Sequence, residues 1–291
     1  MITKEQKQEI INDLLAKNLP LDLLVEIKDH MEEQLEHKID IEEKSFEAAY
    51  EEVKKSWEKD LRMVYAFRLP RKKITILHKK INHKTEKEIL LKEGKMLPVM
   101  EHFYTLQGEG HHTGKAAYFI RLGGCDVGCH WCDVKESWDP ELHPLMDTVE
   151  IAEIAASYCK TIVLTGGEPL MWNLEILTKK LKELGCTIHI ETSGAYEMSG
   201  ILDWITLSPK KTGLPKEEIY KVANELKIIV FNNHDFTFAE EQAAKVSENC
   251  KLYLQSEWSK RNEMYPKITD FILANPKWQA SVQTHKYLNI P

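Results

Sequence analysis

Nowhere in the 291 residues is there a run of eighteen apolar side chains, so no membrane-spanning helix is expected. The opening MITKEQKQEI is polar and lacks the apolar core of a secretory leader, and a cytoplasmic chain is expected. There are only six cysteines. A disulfide framework is not expected in a cytoplasmic chain of this size. No internal repeat is visible. Basic residues do not dominate either: the net charge is −7, which argues against a protein that grips long nucleic acid. What remains is 43% apolar and 29% charged, enough to bury an ordinary core in one large domain or two smaller ones.

The charge is uneven. Residues 1–60 carry 9 Lys/Arg against 17 Asp/Glu, and residues 61–95 carry 11 against 3. The first block has helical spacing, with Ile10, Ile11, Leu14 and Leu15, then Leu23, Leu24, Ile27 and Met31 after Pro20. A third stretch, Phe46, Ala49, Tyr50, Val53 and Trp57, opens at Ser45. His30, Glu33 and His37 in KDHMEEQLEH invite a metal, but a solvated helix face accounts for them better. RLPRKKITILHKKINHKTEKE follows as a basic linker or arm, open to tRNA, a membrane or a partner. A boundary is expected near residue 95. It divides an all-helical extension (1–95) from a second domain (96–291).

Beyond Pro98 strands and helices alternate. Strands are expected at 116–122, 161–165, 187–192, 204–208, 225–231, 251–255 and 278–284. Helices are expected at 148–158 with Thr148 as N-cap, 173–184 stopped by Gly185, 215–224, 235–248 and 264–275. Such alternation implies parallel βα units, with ligands bound beyond the carboxyl ends of the strands.

CDVGCHWCD, residues 125–133, follows the first of these strands and places Cys125, Cys129 and Cys132 at C-x3-C-x2-C spacing. A structural zinc would need a fourth ligand such as His130 or His102, and no second cysteine hook exists. A [4Fe–4S] cluster held by three thiolates leaves one iron open to an outside ligand. Trp131 is placed to shield it. Cys159, Cys186 and Cys250 stand alone and are expected to be small buried side chains.

The C-x3-C-x-aromatic-C pattern resembles the cluster motif of the radical S-adenosylmethionine (SAM) family. That resemblance implies an α/β fold, a partial, open parallel β/α barrel. SAM would chelate the open iron through its amino and carboxylate groups, and reductive cleavage would give a 5′-deoxyadenosyl radical. TGGEP (165–169) is similar to the family's element for the methionyl amine, implying roles for Gly166, Gly167 and Glu168. ETSG and LSPK suggest Ser193, Ser208, Pro209 and Lys210 against ribose or carboxylate, and Gln255 is assigned to adenosine.

Within the family, YTLQGEG, TGGEP, SPK and the terminal VQTHKYLNIP resemble one branch over most of residues 98–291. Its members contract the ring of 6-carboxy-5,6,7,8-tetrahydropterin to a 7-deazaguanine, with loss of ammonia, on the route to queuosine in tRNA. The implied substrate contacts are Leu106, Gln107, Gly108, Glu109, Arg121, Thr165, His285 and the α-carboxylate of Pro291. Arg121 also reads as one half of a surface ion pair. No catalytic residue is singled out. The resemblance further implies a flavodoxin- or ferredoxin-like electron donor, a homodimer and Mg2+. The branch binds Mg2+ through a hydroxyl residue directly after CD. Here that residue is Val134, with Ser137 three positions on. The rivals are an activase for glycyl-radical enzymes, and an iron–sulfur or zinc module without turnover.

Overall fold

The structure, a computed structural model, describes residues 2–15, 31–32, 34–35, 38–39, 44–55 and 84–291. The chain divides into two compact units, Met1–Lys73 and Ile74–Pro291. In the first, Lys4–Leu15 and residues 46–55 are helical. Their apolar stripes meet as the spacing requires. Ile10, Leu14, Met31, Leu35, Phe46, Ala49, Tyr50 and Val53 form one buried cluster. The Ser45 hydroxyl accepts from the Ala48 amide at 3.3 Å, opening its helix as expected. Pro20, Trp57, the His30–Glu33–His37 group and most of the basic stretch lie outside the described residues.

The second unit is a nine-stranded open sheet. Its strands are β1 (Met96–Leu106), β2 (Ala116–Leu122), β3 (Leu145–Asp147), β4 (Thr161–Gly166) and β5 (Thr187–Thr192), then β6 (Trp204–Leu207), β7 (Glu225–Val230), β8 (Lys251–Ser256) and β9 (Trp278–Ser281). Their order is β3-β1-β2-β4-β5-β6-β7-β8-β9. From β2 onward every pair is parallel, whereas β1 runs antiparallel to both β2 and β3. The helices are α1 (Lys84–Lys92), α2 (Thr148–Tyr158), α3 (Glu175–Glu183), α4 (Glu217–Val222), α5 (His234–Ala243), α6 (Arg261–Ala274) and α7 (Thr284–Leu288).

The core lies between the sheet and its helices. Ile162, Leu164, Ile188, Ile190, Leu226, Ile228 and Leu254 bury against Ile151, Leu177, Ile219 and Ile268. The intervening strand residues face the barrel interior, where the chemistry sits.

The parallel strands and α2 to α6 lie where the alternation predicts, with ends moved by a few residues. Three details differ. Asp147, not Thr148, caps α2, its Oδ1 accepting from Val149 N at 2.9 Å and Glu150 N at 3.0 Å. The Thr148 hydroxyl instead donates to Gly94 O at 2.7 Å. The run 278–284 ends as a strand at Ser281 and turns into α7. Cys186 and Cys250 are buried, but Cys159, at the end of α2, is only partly so.

α1 belongs with the second unit, so the division falls earlier than the boundary expected near residue 95. Asn173 Nδ2 donates to Lys92 O at 3.3 Å, and the Thr148 amide donates to Lys95 O at 3.0 Å. These bonds fasten residues 92–95 to the N-terminal ends of α2 and α3.

Candidate active site

β2 is followed by Gly123 and Gly124, and the cysteine loop springs from them. Gly124 has φ 102°, a conformation that favours glycine, and the Trp172 indole packs against it. Trp172 Nε1 donates to Gly123 O at 2.8 Å. The loop is closed at its base by Gly124 N to Ser137 O at 2.6 Å and Cys125 N to Trp138 O at 3.1 Å. Cys125, Cys129 and Cys132 are unpaired, half-buried thiols lining one cavity of about 410 Å3. Burial pushes the Cys125 and Cys129 thiols above the ordinary range, so a metal has to draw off their protons.

Among the described residues, no three His, Cys, Asp or Glu side chains converge on a single ion. Three thiols around a cavity suit a cube of irons, each sulfur taking a different iron. The histidines that a zinc site would recruit are engaged elsewhere. His102 bonds the Tyr118 hydroxyl at 2.6 Å, and His130 meets Phe231 edge-on at 5.3 Å.

TGGEP packs directly on this loop. A Cβ on Gly167 would overlap Gly124 O, and one on Gly166, whose φ is 127°, would overlap the Leu122 backbone. The buried Glu168 carboxylate ties two βα loops together. Oε1 accepts from Leu170 N (3.0 Å) and the Thr192 hydroxyl (2.5 Å). Oε2 accepts from Ser193 N (2.7 Å) and the Ser193 hydroxyl (2.5 Å). Lys210 Nζ donates to Ser208 O at 2.9 Å and Ser208 Oγ at 2.6 Å, and lies 5.5 Å from the Trp131 ring centre. Burial lowers its pKa. Gln255 accepts from Ser281 Oγ at 2.6 Å. The structure thus gathers the predicted cluster and SAM residues at the carboxyl ends of β2, β4, β5, β6 and β8; of these, only Pro209 does not line the cavity.

QGEG arrives differently. Because β1 is antiparallel to β2, with Leu106 opposite Ala116, residues 107–115 begin where the parallel strands begin. They fold into the barrel. Gln107 Nε2 donates to Glu191 Oε1 at 2.9 Å, and Gln107 Oε1 accepts from Glu109 N at 3.1 Å. Glu109 forms a buried ion pair with Lys227 and accepts from Gln283 Nε2 at 2.9 Å. Burial alone would raise the Glu109 pKa; Lys227 and Gln283 bring it down to about 2. Burial would likewise lower that of Lys227, which Glu109 and Glu191 hold above the usual range. Thr165 Oγ1 donates to Glu191 Oε2 at 3.0 Å.

Below them, His111 stacks on Trp204 (4.9 Å between ring centres), and His112 meets His189 at a tilt (4.4 Å). Gly108 has to be glycine, since a Cβ would overlap His285, and its carbonyl accepts from the Thr284 amide and hydroxyl, both at 2.9 Å. Burial depresses the His285 pKa, against the pull of Glu109. Leu106, His285 and Pro291 all line the cavity. Arg121 lines it too, while pairing through Nε with Glu101 at 2.7 Å, so the ion pair allowed by the sequence is present.

Glu191, Lys227, Thr192 and Gln283 were not anticipated. The signal for the first two was legible. Glu191 and Lys227 are polar residues at alternate positions of apolar strands, on the face opposite Ile190 and Leu226.

Comparison with known proteins agrees with this geometry. The Radical SAM superfamily model matches residues 119–207. The 7-carboxy-7-deazaguanine synthase of Flavobacterium psychrophilum is 63% identical over 206 residues, covering 71% of this chain and 98% of that protein. That of Synechocystis sp. is 50% identical over 194 residues, covering 66% and 93%. The crystal structure of QueE from Escherichia coli superposes with a TM-score of 0.58 at 28% identity, over 69% of this chain and 99% of the other.

Fold, cysteine loop and GGEP element together define a radical SAM enzyme, with a [4Fe–4S] cluster and SAM as its cofactors. Within that class, the chain belongs to the 7-carboxy-7-deazaguanine synthase family. No described helix is long and apolar enough to cross a membrane.

Proposed function

We infer that the chain contracts 6-carboxy-5,6,7,8-tetrahydropterin to 7-carboxy-7-deazaguanine with loss of ammonia, in queuosine biosynthesis. One observation carries the reading. Gln107, Glu109, Glu191 and Thr165 form a hydrogen-bonded polar patch in the same cavity as the three thiols. Cys125, Cys129 and Cys132 would hold the cluster, which with SAM bound would supply hydrogen-abstracting radical chemistry to the substrate.

The protein's share is positioning. Glu191 is fixed by Gln107 and Thr165 and keeps acceptor capacity for the N–H edge of a flat heterocycle. The Glu109 carboxylate is kept ionised by Lys227, so it accepts and never donates. His285 is held neutral and packed against Gly108. Arg121 offers its fork to the substrate carboxylate. A ligand lacking these edges leaves buried polar groups unpaired, which gives strong discrimination. Gly166, Gly167, Glu168, Ser193, Ser208 and Lys210 are the proposed SAM contacts, with Gln255 at adenosine. Cys125, Cys129 and Cys132 are the proposed cluster ligands.

The same reading includes a flavodoxin- or ferredoxin-like electron donor, a homodimer and a cytoplasmic location. The N-terminal helical segment is proposed to stand apart from catalysis, since every motif of the chemistry lies beyond residue 100. Magnesium belongs to the resemblance, but the residues present do not fit it. Val134 has no side-chain oxygen, and the Ser137 hydroxyl is buried and donates to Val134 O at 2.6 Å.

Anaerobic incubation of the reconstituted enzyme with dithionite, SAM and the carboxy-tetrahydropterin tests the function. Deazaguanine product is expected. Cleavage of SAM with the pterin untouched would indicate an activase-like enzyme, and no 5′-deoxyadenosine would indicate a module without turnover.

A further inference from the structure

Five side-chain carboxylates line the cavity: Glu109, Asp133, Glu168, Glu191 and Glu257. Each already has a hydrogen-bond or ion-pair partner. Glu109 is paired with Lys227, Glu168 and Glu191 accept the donors named above, and Glu257 accepts from Ser259 N at 3.0 Å and Ser259 Oγ at 2.5 Å. Asp133 directly precedes Val134, which has no side-chain oxygen. Its Oδ2 accepts from Lys286 Nζ at 3.1 Å, with Gln283 Nε2 at 3.5 Å. Lys286 is held from a second side, lying 4.9 Å from the centre of the Trp258 ring, which Arg261 also faces at 4.3 Å. Its side chain is 24% exposed. Asp133, Val134, His285, Lys286 and Pro291 line the same wall.

We propose that the Lys286 ammonium supplies, beside the substrate's oxygens, the positive charge that the missing hydroxyl would have anchored as a divalent cation, so that turnover of this chain needs no magnesium. The inference rests on the ring-contraction reading. A cation fixed by Asp133 and Trp258 is pre-organised, and a divalent ion entering the same wall would have to displace or repel it. Lys286 does so from the short α7, whose first residue is bonded to Gly108. The charge is therefore positioned by the loop that carries Gln107 and Glu109.

The test uses chelator-treated, cluster-reconstituted enzyme with and without millimolar Mg2+. Parent turnover in metal-free buffer should stay within about twofold of the Mg2+-saturated value. Mn2+ used as a paramagnetic probe should show no substrate-dependent binding by electron paramagnetic resonance. Lys286→Gln, its cluster absorbance checked, should lose roughly tenfold or more in metal-free buffer, while Lys286→Arg retains most of the activity. The double variant Lys286→Gln/Val134→Thr should regain activity with Mg2+ and bind Mn2+ when substrate is present. A parent that loses tenfold without Mg2+ yet makes product with it overturns the inference and leaves the function standing. So does Lys286→Gln turning over like the parent in metal-free buffer. A parent that makes no product under either condition overturns both.

Discussion

Replacing Lys227 with Met keeps the side chain's length and removes its charge. Glu109 is then left buried without its cation, a change that costs about 3–5 kcal/mol in comparable pairs. Urea unfolding of K227M should show that loss, and adding Glu109→Gln should recover part of it, because the orphaned charge is gone. Glu109 titrates near 2 when folded, below its ordinary value of 4.5. Its contribution is therefore complete above the ordinary carboxylate range and lost as pH falls toward 2; in the double variant that dependence should vanish. Cys129→Ala should abolish the visible cluster absorbance and turnover together, since in the proposed ligand set three thiolates are the whole protein contribution. At this scale the sequence was most informative where chemistry needs a fixed spacing, at the cysteines and TGGEP. It was least informative where a residue acts through another. The inward position of Lys227 in ELKIIVF is legible, but its ion-pair partner Glu109 comes only with the antiparallel entry of residues 107–115.

The central parallel strands were legible because most are short apolar runs largely buried on both faces and bounded by turn residues. β1 was not. Its sequence, MLPVMEHFYTL, mixes Pro98, Glu101 and His102 into a half-exposed strand whose place depends on pairing with β2. α7 is five residues long, too short to show a period. α1 was hidden in a basic stretch that reads as linker, and the consequence is practical. Residues 96–291 lack the Lys92, Gly94 and Lys95 carbonyls that accept from Asn173 and Thr148. Three hydrogen bonds at about 1 kcal/mol each put the loss near 3 kcal/mol. A chain of residues 74–291 should match the full protein in cluster content and in turnover within about twofold, a difference under roughly 0.5 kcal/mol. A chain starting at residue 96 should melt distinctly lower. Thermal unfolding and single-condition kinetics on both chains check this, and a large loss in 74–291 would instead give the N-terminal unit a part in catalysis.

Across the whole catalytic unit, the plug formed by residues 107–115 sets a response to acid. Burial first, then the charges of His189, Lys115 and His111, lower the His112 pKa from 6.5 to about 4. Between those values the unfolded chain takes up a proton that the folded one refuses, so stability falls as pH drops from about 6.5 toward 4 and is unaffected by this group above that window. His112→Gln should flatten that slope in melting temperatures measured between pH 4 and 7. The same plug governs the order in which the molecule can be built. Glu109 lies 118 residues before Lys227 and 174 before Gln283. At roughly 5–20 residues per second on a ribosome, the hairpin that carries QGEG waits several seconds for its cation and longer for its amide. Until then a carboxylate meant for the interior stays in water. The barrel therefore has no complete floor until β9 emerges, and high contact order of this kind predicts slow, late closure. Cluster insertion before that point would meet a loop with walls and no floor, which places maturation after the last strand has left the exit tunnel.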